Sequence, residues 1–386
     1  MNAVDPRKEI AVVGVGSSRF GRDLQMDKLS LIAEAFKEAL DDSGLRKEQV
    51  DGLIVNLGVD CDLLPMLLGM DVRYAAQTWP HARLCATVVH WAGMAAVHNT
   101  ANYVACIWCY TSSETRNLGS GLGDAQRVGG GPHFERPEYG MIHPGAGVAM
   151  ATRRYFELYG STSEQLGAVA VAHRKWAALN PKAVFKKPIT IEDYLNSPFL
   201  IEPLRLLDFS PVTDSAVCII VSNADRAKDC RKVPVYILGL QGMKSGREHI
   251  IMAREGLSLG QQRVTSFSPS MKDIPVYGMA GITPEDVDCA YIYDAFSVSV
   301  LFTLEEFGFC PVGEAANWIQ DGRIEPKGEL PVNTNGGNLS ECWAGGWAHI
   351  VEAVRQVRNE CGERQVRNAE IAQFMITPGV AIVFGR

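Results

Sequence analysis

The sequence repeats itself at long range, and that repetition constrains the fold more than any other feature. Near the start, Ile10-Ala-Val-Val-Gly-Val-Gly is a short apolar run ending in glycine. It is followed by a stretch with Leu29, Ile32, Ala33, Phe36 and Leu40 on one helical face. Arg46-Lys-Glu-Gln-Val-Asp-Gly-Leu-Ile-Val-Asn then reads as a turn entering a buried strand. Far downstream, Val233-Pro-Val-Tyr-Ile-Leu-Gly-Leu supplies an opening strand and Thr283-Pro-Glu-Asp-Val-Asp-Cys-Ala-Tyr-Ile-Tyr-Asp a later one. Val50-Asp51 and Val287-Asp288 therefore occupy matching places. Each half closes on an apolar run, Val217-Cys-Ile-Ile-Val-Ser and Val380-Ala-Ile-Val-Phe, so strands alternate with helices in both. The pattern predicts two similar α/β halves, residues 1–230 and 231–386.

The first half carries extra chain around residues 119–208. A glycine-rich stretch runs from Gly119 to Gly147, and Asn180 to Asp208 contains Lys186-Lys187-Pro188 and an Asn196-Ser-Pro-Phe turn. Both read as long inserted loops. Loops of that length in a compact domain usually serve as lids or binding surfaces, so a substrate site is expected beneath them.

Composition excludes several functions. Hydrophobic residues make up 47% and charged residues 21%, close to a soluble globular average. The formal net charge is −7, and no basic run exceeds a pair, so nucleic acid is not an expected partner. No apolar stretch approaches the ~20 residues that cross a bilayer, and the start lacks the apolar core of a signal peptide. Neither a membrane partner nor export is expected, and the expected location is the cytoplasm. The ten cysteines are scattered, many in apolar runs, as for reduced intracellular thiols. Cys106 and Cys109 form a Cys-x-x-Cys inside an apparent buried strand with no second ligand pair, so no metal is expected. Gly14-x-Gly16 lacks the third glycine of a dinucleotide loop, where Arg19 stands, and no acid ends the next strand. No Gly-Lys-Ser/Thr occurs, which argues against a phosphate-cradling P-loop.

Several strings together resemble the thiolase superfamily over nearly the whole chain. Leu207-Asp-Phe-Ser-Pro-Val-Thr-Asp-Ser-Ala-Val resembles the segment closing the first half of sterol-carrier-type thiolases. Tyr291-Ile-Tyr-Asp-Ala-Phe stands where they carry His-Asp-Cys-Phe or Asn-Glu-Ala-Phe, and Asn333-Thr-Asn-Gly-Gly-Asn-Leu-Ser where they carry Gly-Gly-x-x-Ser. Glu305-Glu-Phe-Gly-Phe-Cys, Leu330-Pro-Val-Asn-Thr-x-Gly-Gly and His349-Ile-Val-Glu-Ala-Val-Arg-Gln resemble a lipid-transfer-protein-like subgroup of thiolases and retro-aldolases. The resemblance implies a five-layered α/β/α/β/α sandwich, an acyl-CoA substrate with free CoA as co-substrate and no cofactor of the chain's own. It also implies a homodimer working with a small zinc-ribbon/OB-fold partner subunit.

Thiolase chemistry needs a thiolate, a base and oxyanion donors. Cys85 opens Cys85-Ala-Thr, as sterol-carrier-type thiolases do, ahead of a Trp91, Ala92, Ala95, Ala96 helical face. It is expected at a helix N-terminus, where the dipole lowers a thiol's pKa. The second half departs from the thiolase pattern. Cys342-Trp343-Ala344 replaces Gly-His-Pro, and Thr377-Pro378-Gly379 replaces Cys-x-Gly. Tyr293, Asp294, Glu341, Cys342 and His349 remain as candidate acid/base groups. Of the tyrosine pair that the resemblance implies for retro-aldolases, Tyr293 survives and Trp343 stands at the second position, where it cannot move a proton. His81 and His90 flank Cys85. Trp343 and Trp347, in a glycine-rich turn, are expected to face an aromatic or polycyclic acyl group, with Gly336, Gly337 and Asn338 as further substrate-binding residues.

The leading expectation is an acyl-CoA C-acyltransferase that cleaves a bulky 3-oxoacyl-CoA through a Cys85 acyl-enzyme, in a catabolic pathway. The alternatives are a retro-aldolase splitting a 3-hydroxyacyl-CoA with Tyr293, and a non-catalytic acyl-CoA or lipid carrier.

Overall fold

The computed structural model describes residues 8–79, 81–112, 141, 143–244, 253, 256–257 and 274–386. The glycine-rich part of the expected insertion lies largely outside the described residues.

The first half forms strands β1 (Ile10–Ser17), β2 (Gly52–Leu57), β3 (Tyr74–Gln77), β4 (Tyr103–Tyr110) and β7 (Ser215–Asn223). Helices α1 (Lys28–Ser43) and α2 (Cys85–Val97) lie between them. A small hairpin, β5 (Phe199–Ile201) with β6 (Leu204–Arg205), belongs to the insertion, as do α3 (Gly145–Tyr159) and α4 (Ser163–Ala178). The second half forms β8 (Val235–Gln241), α5 (Pro275–Ala280), β9 (Cys289–Ile292), α6 (Val298–Glu306), α7 (Gly337–Ser340), α8 (Trp347–Val357), β10 (Ile371–Ile376) and β11 (Val380–Gly385).

The nine strands pair continuously in the order β3-β2-β4-β7-β1-β8-β11-β10-β9, two half-sheets of mirrored order that meet where Ala11 pairs with Tyr236 and Val12 with Val235. β2 runs parallel to β4 and β9 parallel to β10, while β1–β7 and β8–β11 are antiparallel. The repetition extends to single hydrogen bonds. Asp51 Oδ1 accepts the Asn102 and Tyr103 N–H groups at the start of β4, and Asp288 Oδ2 accepts those of Glu370 and Ile371 at the start of β10. An aspartate thus anchors the start of the neighbouring parallel strand in each half.

Alternation along the strands separates the layers. Ala216, Cys218 and Ile220 of β7 turn outward to the Leu31, Ile32, Ala35 face of α1, while Val217, Ile219 and Val221 turn inward. α1 starts where the Asp27 side chain accepts the Ser30 N–H and stops at Gly44, whose φ of +76° suits glycine. A Cβ on Gly16 would sit 2.2 Å from the Ala35 carbonyl, so Gly14-x-Gly16 serves close helix–strand packing and not a nucleotide. α2 and α8 lie between the two sheets, and α5 packs on β8 and β11. These complete the five layers of the thiolase fold. Cys106 and Cys109 fall in the two different cores on opposite faces of β4, which explains why this Cys-x-x-Cys cannot grip one ion.

The expected loop Asn180–Asp208 is more structured than its composition indicated, with a short helix at Ile191–Leu195 and the β5–β6 hairpin. Between the two expected loops, residues 145–178 form two helices, α4 starting from a Thr162/Gln165 capping box. They pack on the second half, with the Tyr155 hydroxyl donating to Glu305 (2.5 Å) and Trp176 Nε1 to the Ile324 carbonyl (3.0 Å). Among the described residues no helix is long and apolar enough to cross a membrane.

Candidate active site

Tyr293 follows β9, its N–H donating to the Met375 carbonyl of β10 (2.9 Å). Its buried hydroxyl accepts the Trp343 indole N–H at 3.0 Å. Trp343 is fixed from both sides. Its N–H donates to Thr213 Oγ1 (2.9 Å), its carbonyl accepts from Ser215 Oγ (3.0 Å), and its ring stands edge-on to Trp108 (5.6 Å) and Tyr110 (4.8 Å). An indole only donates, so the Tyr293 oxygen must accept, and its own hydrogen is free to serve another acceptor. Burial pushes the Tyr293 phenol up. The Trp343 hydrogen bond and the Arg83 charge act downward, Asp294 and Cys85 upward.

Asp294 is fully buried and lies between two histidines. Its Oδ2 is 2.8 Å from His173 Nδ1, and its Oδ1 is 3.0 Å from His349 Nε2. Burial alone would push its carboxyl up, but His173 and His349 together hold it well below the usual carboxylate range. The carboxylate also accepts the Asn338 N–H (2.8 Å) and the Leu339 N–H (3.3 Å) at the start of α7. Gly337 permits this approach. Its φ is +67°, and a Cβ there would lie 2.1 Å from Asp294 Oδ2. Gly336, also left-handed at φ +103°, packs against Ala177 of α4. Gly336, Gly337 and Asn338, expected to bind substrate, thus shape the Asp294 pocket, and Asn338 is buried.

Cys85 does open a helix, α2, as expected. The expected lowering of its thiol is reversed. The side chain is sealed at 0% exposure, and the loss of hydration outweighs the helix-terminus hydrogen bonds, so burial pushes the thiol up. Cys342 is likewise sealed and pushed up by burial, with Glu341 adding to the effect. Burial, then Glu352, pushes Glu341 up to about 7, although its carboxylate accepts from the Asn180 (2.7 Å) and Asn335 side-chain amides.

Trp347 corrects a second expectation. It is fully buried, its Nε1 donating to Asn56 Oδ1 (3.0 Å), so it does not face a ligand. Asn56 Nδ2 in turn donates to Thr78 Oγ1 (2.8 Å) and to the Trp79 and His81 carbonyls (3.3 Å each), fixing the chain that enters α2. His81 caps the following 3₁₀ turn by accepting the Arg83 N–H, and His90 is exposed on α2. Thr377, in place of a thiolase cysteine, binds the Glu306 carboxylate.

The site thus gathers Tyr293, Trp343 and Cys85 with Arg83, and a neighbouring chamber gathers Asp294, His349 and Asn338 with His173. Sequence reasoning passed over His173 and Arg83. His173 has a weak signal, a lone histidine on the buried face of a helix. Arg83 has only its position two residues before Cys85.

A buried tyrosine set beside a helix-start cysteine between two mirrored α/β halves defines a carbon–carbon bond enzyme of the thiolase class. The thiolase C-terminal domain-like family matches residues 265–382. The chain is 36% identical to the 17-hydroxy-3-oxo-4-pregnene-20-carboxyl-CoA lyase of Mycobacterium tuberculosis, covering 97% of each. It is 33% identical to the steroid side-chain-cleaving aldolase of Thermomonospora curvata, covering 96% of this chain and 95% of that one. Among solved structures, an Ltp2-ChsH2(DUF35) aldolase superposes with a TM-score of 0.83 at 31% identity, covering 98% of this chain and 97% of that one. The chain belongs to the thiolase superfamily, in its lipid-transfer-protein-type subgroup, and is an enzyme of carbon–carbon bond cleavage.

Proposed function

We propose that the chain is a retro-aldolase that splits a 3-hydroxyacyl-CoA carrying a bulky polycyclic group, with Tyr293 as the acid/base. The observation that carries this reading is the Tyr293–Trp343 pair: a buried phenol whose oxygen receives a hydrogen bond it cannot return. Tyr293 reacts from its phenolate form, which the Trp343 N–H favours. The phenolate oxygen takes the proton of the 3-hydroxyl as the hydroxyl oxygen's electron pair forms the C3 carbonyl, and the later return of that proton to C2 restores the phenolate. The C2–C3 bond breaks, and its electrons enter the thioester enolate. Protonation of C2 from the tyrosine releases a shortened acyl-CoA and a ketone. No covalent intermediate forms and no free CoA is consumed. The lyase and aldolase relatives support this chemistry and a steroid-like acyl group.

Acyl transfer through Cys85 is less well supported. The thiol is sealed and raised, and no basic group among the described residues is bonded to it. A carrier without chemistry fits least, since these relatives are named as enzymes. We extend the proposal to a soluble cytoplasmic enzyme with no cofactor of its own, and to a homodimer with a small zinc-ribbon/OB-fold partner; the aldolase neighbour named for two components supports a partner subunit.

The test supplies the full chain, with and without such a partner, with 17-hydroxy-3-oxo-4-pregnene-20-carboxyl-CoA and no free CoA. Ketone release that falls by at least ~10²-fold in Tyr293→Phe and persists in Cys85→Ser is the expected result. A strict CoA requirement, or an acyl adduct on Cys85, overturns it.

A further inference from the structure

Trp343 is half-buried, and its indole N–H donates to the Tyr293 oxygen (3.0 Å). Against it stands Trp108, 1% exposed, with ring centroids 5.6 Å apart and planes at 79°. The turn that carries Trp343 can close on Trp108 because Gly345 lacks a side chain. A Cβ there would lie 2.6 Å from the Trp108 ring. Tyr110, also half-buried, meets the same indole with centroids 4.8 Å apart and planes at 90°. It ends β4 opposite Ser215 of β7, and the Ser215 hydroxyl donates to the Trp343 carbonyl (3.0 Å), so one strand pair sets the position of both rings.

Tyr110 and Trp343 therefore form a rigid aromatic corner, partly open, whose indole side is hydrogen-bonded to the oxygen assigned the proton transfer. Cys85, Trp108 and Trp347 are sealed in the core and present no such surface. In a substrate such as 17-hydroxy-3-oxo-4-pregnene-20-carboxyl-CoA, the carbon bearing the reacting hydroxyl is itself a ring atom. When Tyr293 takes the proton of that hydroxyl, the ring system begins beside the Tyr293 oxygen, next to the corner. The faces of such a ring system carry neither charge nor hydrogen-bonding groups, so rigid apolar surface is what can select it.

We propose that Tyr110 is a specificity-determining residue that, with Trp343, receives the ring system of a polycyclic 3-hydroxyacyl-CoA. The inference rests on the retro-aldol reading for the placement of the ring, and it names the surface that recognises it. Tyr110 takes no part in the proton transfer, which stays with Tyr293.

The test uses the full chain with Tyr110→Ala and Tyr110→Phe. Its first readout needs no turnover. Equilibrium dialysis measures the Kd of the two products that cleavage of this thioester would release, 4-androstene-3,17-dione and propionyl-CoA. Tyr110→Ala should raise the Kd of the ketone by about 10–100-fold, the effect of removing one aromatic wall from a buried apolar group, and leave that of propionyl-CoA unchanged. Tyr110→Phe keeps the ring and should bind both as the parent does. The second readout is cleavage of the polycyclic thioester, where Tyr110→Ala should raise KM and spare kcat, as loss of uniform binding does. An unchanged Kd for the ketone, an equal loss for both products, or failure of the ketone to bind the parent overturns the proposal. If the thioester is not cleaved at all, the retro-aldol reading fails while the dialysis still decides whether Tyr110 forms the wall.

Discussion

Asp294→Asn removes the charge that organises the inner chamber. The carboxylate has four partners, the two histidines and the two N–H groups that start α7, and none is exposed to water that could replace it. An asparagine of the same shape leaves one NH₂ facing donors and removes the charged acceptor that four buried groups share. Hydrogen bonds to a charged group contribute more than neutral ones, and losing this buried acceptor should cost roughly 3–5 kcal/mol of unfolding free energy at pH 7. The pH dependence has a definite sign. The folded carboxyl lies below its unfolded value of about 3.9, so its contribution is fully present above that pH and is lost as pH falls toward the folded value. Urea unfolding of the parent and of Asp294→Asn from about pH 2 to pH 8 measures both effects. The two midpoints should stay well separated down to about pH 4 and converge below it. A variant within ~1 kcal/mol of the parent at pH 7, the median for an exposed pair, refutes the account of Asp294 as a buried structural anion.

Gly337→Ala should destabilise by about 2–4 kcal/mol, adding left-handed backbone strain to a contact 2.1 Å from Asp294 Oδ2, and a lowered melting temperature with reduced cleavage checks it. Glu341→Gln acts in the opposite direction. The folded pKa of about 7 lies above the unfolded value, so the glutamate's favourable contribution, present below about pH 4, fades as pH rises through 7. The glutamine variant should therefore gain on the parent by ~1–3 kcal/mol between pH 6 and pH 9, seen as a parent melting temperature that falls with pH while the variant's does not.

What was legible in the sequence followed chemistry that repeats along the chain. Short continuous apolar runs gave the strands, and the paired Val-Asp positions marked the duplication because each aspartate does the same job at the start of a parallel neighbour. The start of α2 at Cys85 was legible as well. The state of that thiol was not, because its burial is decided by the core assembled from other segments, which the local string does not contain. Trp347 was misread for the same reason: a tryptophan in a glycine-rich turn reads as exposed, yet Asn56 of the first half draws it inside. His173 and Asp294 meet only once α4 folds across the second half, and Arg83 carries no motif at all.

The site draws on both halves. Tyr293, Asp294, Trp343 and His349 belong to the second half, while Cys85, Arg83, Trp108 and Thr213 belong to the first. Its geometry depends on how rigidly the two halves are held, and the strand pairing between them is only two residues deep. The extra grip comes from charge. The buried guanidinium of Arg358, which caps the C-terminal end of α8, binds Asp42 of α1 at 2.6 Å and reaches the Val12 carbonyl (3.3 Å), while Glu38 of α1 binds both Arg355 (2.8 Å) and Lys182 (2.7 Å). Arg358 is withdrawn from water and shared between an aspartate and a backbone carbonyl, so it resists salt far better than the half-exposed Glu38 cluster. High salt should therefore loosen Glu38 and leave Arg358 in place. The Tyr293–Trp343 contact lies within the second half, so what depends chiefly on the buried clamp is how Trp343 seats against Thr213, Ser215 and Trp108 across the seam, the contacts that hold the indole toward the phenol.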